Sequence, residues 1–317
     1  MNRKTLKPTA LVPGSRIAIV SPASAADSAS LRAGCDELVR LGYTPLHHLT
    51  EQPSADYFSA PAENRAKEFM KAERDKETQA IFCARGGYGA TYLMDYIENR
   101  LSSDPKILLG FSDITSLQMY FWRRFSWVTF YGPMVAAGFD RGAGNPGGYD
   151  LPSFTKAVTQ TKGGWTLDLQ GGALAAGEKE GVLLGGCLSL IETCLGTRWE
   201  LDTRGAILLL EDRGMKPYQV DRTLMHLKQA GKFEGVCGFV LGEFPDCDPL
   251  DSGAPTVRDV CQRILTPFEM PIIWGAPVGH TSRPMLTVPL GIRACLCAEG
   301  GGRLEILEPA VVPATSP

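Results

Sequence analysis

The sequence contains no long hydrophobic run. Apolar stretches such as Ala206–Leu210 are strand-length, whereas a helix that spans a bilayer needs roughly 18–20 apolar residues. Met1–Pro13 also lacks the apolar core of a signal peptide. We therefore expect a cytoplasmic protein without a membrane partner.

Clusters of positive charge are missing as well. The 32 Lys and Arg residues are balanced by 35 Asp and Glu, and the two signs are mixed along the chain, which gives a formal net charge of −3. A nucleic-acid binding surface would need a basic balance and clustered Lys and Arg. We expect no nucleic-acid partner.

Metal-binding spacings are absent from the nine cysteines and four histidines. No C-x-x-C pair occurs, and no spacing of cysteine and histidine fits a zinc site. The cysteines are odd in number and scattered through apolar segments, which is typical of buried thiols in a reducing compartment. We expect neither a metal nor a cofactor.

The chain, at 317 residues, is long enough for two domains. Residues 1–140 alternate short apolar runs, such as Arg16–Val20 and Ala80–Ala84, with amphipathic helix patterns. This α/β alternation predicts a parallel sheet with helices on both faces. Residues 141–164 are rich in Gly and Pro and predict a linker. Residues 165–317 predict a smaller, β-rich α/β domain.

Gly110-Phe-Ser-Asp carries the first candidate for chemistry. It lies between the predicted strand Ile107–Leu109 and a predicted helix, so Ser112 would occupy a sharp turn with its hydroxyl at the end of the sheet. Backbone N–H groups that open the helix would face the same space and supply half of an oxyanion hole. Ile114 stands where the G-x-S-x-G elbow has its last glycine. The alternative is that Ser112 only caps the helix.

His280 is the candidate base, because a nucleophilic serine needs one and histidines are few. It lies in a loop directly after the predicted strand Pro271–Trp274, where α/β proteins place catalytic groups. His226, by contrast, falls within a predicted helix. A solvated loop histidine is the alternative interpretation of His280.

Glu211 is the candidate acid, with Asp212 as second choice. It directly follows the apolar run Ile207–Leu210, so its carboxylate would lie at the mouth of the sheet. There it could orient an imidazole and stabilise the ring once protonated. A capping or salt-bridging acid ahead of Pro217 is the alternative. A candidate nucleophile, base and acid, each at or just after the end of a predicted strand, together favour a catalytic site more than any one of them alone.

A glycine-rich loop, Arg85-Gly-Gly-Tyr-Gly, follows another predicted strand. It lacks the lysine of a P-loop and does not match G-x-G-x-x-G, which disfavours nucleotide binding. A close backbone approach in this loop suits a second oxyanion N–H at least as well.

Seven motifs in order resemble the LD-carboxypeptidase family of serine peptidases, a group that also includes microcin-C self-immunity peptidases. The motifs are Arg85-Gly-Gly-Tyr-Gly-Ala, Gly110-Phe-Ser-Asp-Ile-Thr, Tyr131-Gly-Pro-Met, Gly185-Gly-Cys-Leu-Ser-Leu, Leu210-Glu-Asp-Arg-Gly-Met-Lys-Pro-Tyr, Gly279-His and Leu286-Thr-Val-Pro-Leu-Gly. The overall similarity extends from about Gly14 to Leu307. One departure is Cys187, where many relatives have Asn. We expect it to affect local packing and not the chemistry.

The resemblance implies an N-terminal flavodoxin-like domain, a C-terminal swivelling β-rich domain and an active site between them. It implies a triad of Ser112, Glu211 and His280, with the backbone N–H groups of Asp113 and Gly87 as oxyanion donors. It also implies a homodimer. The implied reaction releases the terminal D-alanine of murein tetrapeptide by cleaving an LD-peptide bond during cell-wall recycling.

A carboxypeptidase must bind the free terminal carboxylate of its substrate, for which arginine is the natural partner. Arg85 and Arg283 are candidates by position. Two other functions stay open at this point. One is a microcin-C-type peptidase that acts on peptidyl nucleotides with the same triad, and the other is a flavodoxin-like binding module without catalysis.

Overall fold

Two β-sheets organise the molecule. The computed structural model describes residues 5–47, 56–102, 104–249 and 253–314. The strands in these ranges are β1 (Arg16–Val20), β2 (Thr44–His47), β3 (Ala80–Cys83), β4 (Ile107–Gly110), β5 (Thr129–Tyr131), β6 (Trp165–Asp168), β7 (Gly172–Ala175), β8 (Gly177–Cys187), β9 (Ala206–Glu211), β10 (Gly238–Leu241), β11 (Ile272–Trp274), β12 (Val288–Leu290), β13 (Arg293–Ala298) and β14 (Arg303–Ile306).

The α-helices cover both sheets. They are α1 (Ser28–Arg40), α2 (Ala62–Arg74), α3 (Met94–Ile97), α4 (Thr115–Phe125), α5 (Leu151–Thr159), α6 (Leu188–Thr193), α7 (Pro217–Gln229) and α8 (Val257–Leu265). Short 3₁₀ turns occur at Ala90–Leu93, Ser112–Ile114, Phe139–Arg141 and Thr266–Phe268. In the described part of the chain, no helix combines the length and apolar content needed to cross a membrane.

The first sheet has the strand order β12-β5-β4-β3-β1-β2. Strands β1 to β5 run parallel to their neighbours, and β12 joins β5 antiparallel. The parallel part has the strand order of flavodoxin-like folds, which bind ligands at the carboxyl ends of their strands. β3 and β4 are buried along their full length, as expected of strands covered on both faces. The predicted α/β fold with a parallel sheet is confirmed.

The second sheet has the strand order β6-β14-β13-β8-β9-β10-β11-β7. Strands β8 to β11 are parallel and central, and antiparallel strands flank them on both sides. Helix α7 packs against both α6 and α8, and the three helices help to cover this sheet. Among the described strands, eight belong to this sheet and six to the first.

The segment Leu286–Cys297 is divided between the two sheets. Its first part forms β12 beside β5, and its second part forms β13 beside β8. Gly291 separates them with a φ of +90°, a conformation that glycine adopts without strain. The segment 165–317 therefore supplies an edge strand to the sheet of the N-terminal segment. Hydrophobic periodicity does not reveal which sheet a short strand joins.

The predicted linker 141–164 contains helix α5. Asp150 caps this helix by accepting a 2.7 Å hydrogen bond from the backbone N–H of Ser153, and a proline lies in the first turn. The ring of Phe154 is buried and packs edge-on against Phe82 of β3. The segment is thus packed against the first sheet.

Candidate active site

Ser112 occupies the turn between β4 and α4. Its φ of +62° lies in the left-handed region, which costs a side-chain-bearing residue roughly 1–2 kcal/mol. None of the hydrogen bonds between described residues uses the Ser112 hydroxyl, and the helix that follows has no side-chain cap at Phe111 or Ile114. The strained turn therefore does not serve to cap the helix with the serine side chain. Such strain is typical of a nucleophile elbow.

Glu211 and His280 are in direct contact. Oε2 of Glu211 lies 2.8 Å from Nδ1 of the His280 ring and accepts the His280 backbone N–H at 2.9 Å. Glu211 is the last residue of β9 and is fully buried. Two bonds to one carboxylate oxygen fix both the loop and the ring, so the imidazole is held in one orientation with Nδ1 toward the acid.

The charge of Glu211 controls the protonation of His280. Burial by itself lowers the pKa of the His280 ring, because the interior disfavours the charged form. The negative charge of Glu211 and its hydrogen bond act in the opposite direction and prevail, so the pKa of His280 is raised above 6.5. This arrangement favours a ring that can take up a proton from a neighbouring hydroxyl.

Tyr131 connects the turn of Ser112 to Glu211. Its hydroxyl donates to Oε1 of Glu211 at 2.5 Å and accepts the backbone N–H of Ser112 at 3.3 Å. Burial, with the nearby charge of Glu211, raises the pKa of Tyr131 well above its usual value, so the hydroxyl keeps its proton and acts as a donor. In the sequence Tyr131 belongs to one of the family motifs, and no catalytic role for it was predicted. Its position at the end of β5, next to the strand β4 that leads to Ser112, is the feature that could have indicated a role at the site.

Phe111 brings the serine turn against the histidine loop. Its ring lies edge-on to the ring of His280, with centroids 5.1 Å apart. Because Phe111 directly precedes Ser112, this contact places the candidate nucleophile and base on adjoining surfaces. The three residues that the sequence selected thus come from the ends of β4, β9 and β11 to one region of the molecule.

The glycine loop after β3 packs directly on Ser112. A Cβ atom built on Gly86 would lie 3.1 Å from Cβ and 3.3 Å from Oγ of Ser112, so only a residue without a side chain fits comfortably there. Gly87 has a φ of +101°, and a Cβ on it would lie 2.4 Å from Oγ of Ser24. Gly86 therefore permits a close approach of the loop main chain to Ser112, and Gly87 permits a close approach of the same loop to Ser24.

Asp113 and Arg65 hold this loop from two sides. Oδ2 of Asp113 accepts the backbone N–H of Ala90 at 2.7 Å, and Nη1 of Arg65 donates to the carbonyl of Gly89 at 2.7 Å. Both charged side chains are buried. Burial raises the pKa of Asp113 to about 6, although the hydrogen bond from Ala90 opposes the shift. The residue next to Ser112 thus anchors the loop that packs on Ser112.

A cavity of about 660 Å³ adjoins these groups, a volume typical of small-molecule sites. Phe111 and His280 line it, together with charged residues from several loops, which are Asp27, Arg85, Asp140, Arg141, Arg213 and Asp246. Arg213 is paired with Asp246 at 2.8 Å. Among the described residues Arg85 forms no ion pair, and its Nη1 donates to the carbonyl of Ala25 at 3.0 Å.

Arg283, the other arginine that the sequence singled out, holds the His280 loop. Its guanidinium pairs with Glu243 and donates to the carbonyls of Gly275 and Gln170, so each of its three nitrogens has an acceptor. Thr281 also donates to Glu243, at 2.7 Å. Within the described residues, the cavity lining does not include Arg283. Its contacts are those of a residue that shapes the loop.

Asp212 and Cys187 stabilise the start of α6. Oδ2 of Asp212 accepts the backbone N–H of Ser189 at 2.8 Å and lies 3.5 Å from Sγ of Cys187. Burial raises the pKa of Cys187 well above its usual value, so its thiol stays protonated. The backbone N–H of Cys187 donates to Thr115 at 3.0 Å. The carboxylate of Asp212, the second choice for the acid, thus accepts the backbone N–H groups of Ser189 and Arg213, and no hydrogen bond between described residues joins it to His280.

Known proteins match this chain along most of its length. Residues 17–132 match the LD-carboxypeptidase N-terminal domain, and residues 180–296 match the LD-carboxypeptidase C-terminal domain. A Bacillus subtilis protein named "Probable murein peptide carboxypeptidase" is 31% identical over 293 residues, which cover 92% of this chain and 91% of the relative. The chain belongs to the LD-carboxypeptidase family.

Further relatives support the same membership of the LD-carboxypeptidase family. A Streptomyces coelicolor protein named only as a candidate carboxypeptidase is 34% identical over 305 residues, covering 94% of this chain and 96% of that protein. The solved muramoyltetrapeptide carboxypeptidase from Oxalobacter formigenes is 26% identical, with a TM-score of 0.81 over 95% of this chain and all of that one. Family membership makes the chain a serine carboxypeptidase.

A second solved structure confirms the two-domain α/β fold. The microcin C7 self-immunity protein MccF, in complex with aspartyl sulfamoyl adenosine, is 24% identical and has a TM-score of 0.86 over 96% of this chain and 99% of that one. At this level of identity the likeness concerns the fold alone.

Proposed function

We propose that this protein is a cytoplasmic LD-carboxypeptidase that releases terminal D-alanine from murein tetrapeptide during cell-wall recycling, with Ser112, His280 and Glu211 as its triad. The observation that carries the triad is the 2.8 Å contact between Glu211 and His280 beside the strained turn of Ser112. The substrate rests on two relatives whose names specify murein peptide and muramoyltetrapeptide carboxypeptidases.

In the proposed mechanism His280 removes the proton of the Ser112 hydroxyl, and Ser112 attacks the peptide carbonyl. Glu211 holds the imidazole and stabilises it while protonated. His280 then gives the proton to the nitrogen of the leaving D-alanine. Water, activated by the same ring, attacks the acyl-enzyme and frees Ser112.

The oxyanion donors in this proposal are the backbone N–H groups of Asp113 and Gly87. The close packing of Gly86 against Ser112 supports a main-chain donor from this loop, because it brings the loop backbone beside the reacting hydroxyl. The anchors at Ala90 and Gly89 keep that backbone rigid. A rigid donor costs no reorganisation when charge develops on the carbonyl oxygen.

Arg85 is the proposed partner of the terminal carboxylate. It lines the cavity together with His280, and no described acid neutralises it. The contacts of Arg283 support a role in the loop of His280 instead.

Digestion of murein tetrapeptide followed by mass spectrometry tests the proposal. We expect the wild-type protein to yield tripeptide and D-alanine, and Ser112→Ala to lower turnover by about 10⁴-fold or more. Ser126→Ala is the matched control, because Ser126 is also left-handed, at φ +56°, but lies at the end of α4. Activity of Ser112→Ala near the wild-type rate would show that the nucleophile is wrong. No release of D-alanine by wild type would show that the substrate is wrong.

A microcin-type activity is the second candidate. The Escherichia coli microcin C7 self-immunity protein MccF is 25% identical over 295 residues, which cover 83% of this chain. A parallel assay with a peptidyl-sulfamoyl nucleotide separates the two functions, since both use the same nucleophile. Faster cleavage of the nucleotide substrate would favour the second candidate.

The proposal also includes a homodimer, which rests on the family resemblance. Light scattering coupled to size-exclusion chromatography measures this directly, because the chain mass is 34.3 kDa. A mass near that of one chain at assay concentration would remove the dimer from the proposal.

A further inference from the structure

Two cysteines lie side by side on the second sheet, far from the proposed catalytic groups. Cys295 and Cys297 are two residues apart on β13, so their side chains share one face of the sheet. Glu178 of β8 pairs with Cys297 across the strands, and its Oε2 lies 3.1 Å from the Cys297 thiol. The ligand atoms of the three side chains all lie within 4.8 Å of one another.

These three groups match the donor set of a zinc site. Zinc prefers thiolate, imidazole and carboxylate ligands in a tetrahedron, with Zn–S bonds of about 2.3 Å. Two sulfurs on one tetrahedral zinc are therefore about 3.8 Å apart, so the three ligand atoms need to move by only about 1 Å. Oxygen-seeking ions such as Mg²⁺ and Ca²⁺ disfavour two thiolates.

We propose that Glu178, Cys295 and Cys297 form a binding site for a zinc ion that joins β8 to β13. On binding, each thiol releases its proton to the solvent and becomes a thiolate ligand. Three protein ligands leave the fourth position of the tetrahedron to water. Because the ligands come from two paired strands, the ion would cross-link the sheet.

The charges around the site leave the carboxylate of Glu178 available. On the same face, Glu180 is paired with Arg293 at 2.6 Å, and Glu305 is paired with Arg303 at 3.0 Å. In the described residues, the only hydrogen-bond or ion-pair partner of the Glu178 carboxylate is the Cys297 thiol. The arginines thus neutralise the neighbouring acids, and Glu178 keeps its charge for a cation.

This site is separate from the proposed catalytic centre. Glu178 lies near the start of β8, and Cys187, at the other end of β8, pairs with Glu211. Nine residues of extended strand span about 30 Å. The zinc would therefore stabilise the sheet and take no part in peptide cleavage, so the inference does not depend on the proposed reaction.

Linear spacings of cysteine and histidine do not reveal this site. The spacing C-x-C is too short to resemble a zinc knuckle, and the third ligand is 119 residues from Cys297 along the chain. Only the antiparallel pairing of β8 with β13 brings the three together.

Titration of the reduced, metal-free full-length protein with Co²⁺ tests the site, because Co²⁺ replaces zinc and is coloured. We expect one equivalent to produce thiolate-to-cobalt charge-transfer absorption and the ligand-field bands of tetrahedral Co²⁺, both removed by added Zn²⁺. Cys295→Ser and Cys297→Ser should each weaken metal binding by about 100-fold or more. Even the loss of a residue that only hydrogen-bonds to a metal ligand lowers metal affinity by about 10–100-fold. Cys237→Ser, at a half-buried cysteine elsewhere, should leave the spectrum unchanged.

A second measurement uses the unaltered chain, in case the variants fail to fold. Zn²⁺ should slow alkylation of Cys295 and Cys297 by iodoacetamide at least 10-fold at saturation, and leave Cys35 as reactive as before. Mass spectrometry of proteolytic peptides measures the extent of alkylation at each cysteine. Equal alkylation of Cys295 and Cys297 with and without Zn²⁺ would overturn the proposal. A cobalt spectrum that persists in the Cys295→Ser/Cys297→Ser double variant would overturn it too.

Discussion

The hydroxyl of Tyr131 donates a 2.5 Å hydrogen bond to Oε1 of Glu211, the carboxylate oxygen that does not contact His280. Tyr131 ends β5 of the first sheet and Glu211 ends β9 of the second, so this bond joins the two sheets. Both residues are fully buried, and water does not compete for the bond. One side chain therefore connects the turn of Ser112 to the acid that orients the proposed base.

Replacing Tyr131 with Phe should lower kcat about 10–100-fold with little change in KM. The ring still fills its space, but Glu211 loses the donor that fixes it, and small displacements of catalytic groups cost this much. The free energy of unfolding should fall by about 1–3 kcal/mol, because a buried carboxylate oxygen loses its partner. Steady-state kinetics on the tetrapeptide and urea denaturation measure both effects.

Tyr149→Phe is the control for this prediction. Tyr149 is also a buried tyrosine, and its hydroxyl donates to Oε1 of Glu37 at 2.6 Å. This variant should keep the wild-type kcat and lose less stability than Tyr131→Phe, because Oε1 of Glu37 keeps its 2.7 Å hydrogen bond from Arg40. An equal loss of kcat in both variants would mean that general destabilisation, and not the position of Glu211, explains the effect.

Ser112→Gly should be inactive and more stable than Ser112→Ala. Both variants remove the hydroxyl, but only glycine relieves the strain of a φ of +62°. The expected difference in the free energy of unfolding is about 1 kcal/mol. Ser126→Gly, at φ +56°, should also gain stability over Ser126→Ala while keeping activity. The strain explanation fails if Ser112→Gly unfolds more easily than Ser112→Ala.

Asp113→Asn should flatten the dependence of stability on pH. Burial raises the pKa of Asp113 from 3.8 to about 6 in the folded protein. Between these values the unfolded chain has lost this proton and the folded chain has kept it, so wild-type stability falls as the pH rises. Between pH 3.8 and about pH 6, the free energy of unfolding of the variant should rise by up to about 3 kcal/mol relative to that of wild type. Above about pH 6 this difference should stay constant. Urea denaturation at several pH values measures the difference.

Asp27→Asn provides a control of opposite sign. The backbone N–H of Ser30 lowers the pKa of Asp27 at the start of α1. That carboxylate contributes stability above its unfolded pKa, and the contribution is lost as the pH falls through the folded pKa. The free energy of unfolding of wild type should therefore rise relative to that of Asp27→Asn as the pH rises. A pH-independent difference for Asp113→Asn would show that its carboxyl group is not perturbed.

Arg85→Ala should raise KM for the tetrapeptide about 10–100-fold, because a charge-assisted hydrogen bond to the terminal carboxylate is lost. It should also abolish the preference of the enzyme for a free over an amidated carboxyl terminus. Arg141→Ala is the control, since Arg141 lines the same cavity but is paired with Asp140 at 3.4 Å. If Arg85→Ala keeps the wild-type preference, another cation binds the carboxylate.

Local sequence patterns were enough to predict most strands and the type of residue at their ends. The strand predicted at Arg16–Val20 is β1, and the acid expected after an apolar run ends β9 as Glu211. These features depend on neighbours along the chain, where hydrophobic alternation and turn-forming residues are directly visible. The predicted triad stays a prediction, although the contact between Glu211 and His280 is present in the structure.

Those patterns do not predict contacts between residues that are far apart along the chain. Arg283 was chosen as an arginine near His280, but its guanidinium is committed to Glu243 and two carbonyls. Sequence position does not reveal which acceptors a long side chain reaches after the loop folds. The edge strand β12 joined the other sheet for the same reason, since strand pairing follows the path of the whole chain.

The sequence by itself determined the family, the strand-end location of Ser112, Glu211 and His280, and the glycine loop that lies beside the serine. Only the tertiary structure decided that Tyr131 joins the turn of Ser112 to Glu211, 80 residues away, and that Glu178 meets Cys297 across two strands. Propensity and periodicity act over a few residues. Hydrogen bonds between distant segments form where the two sheets meet or where strands pair, so their partners are set by three-dimensional packing.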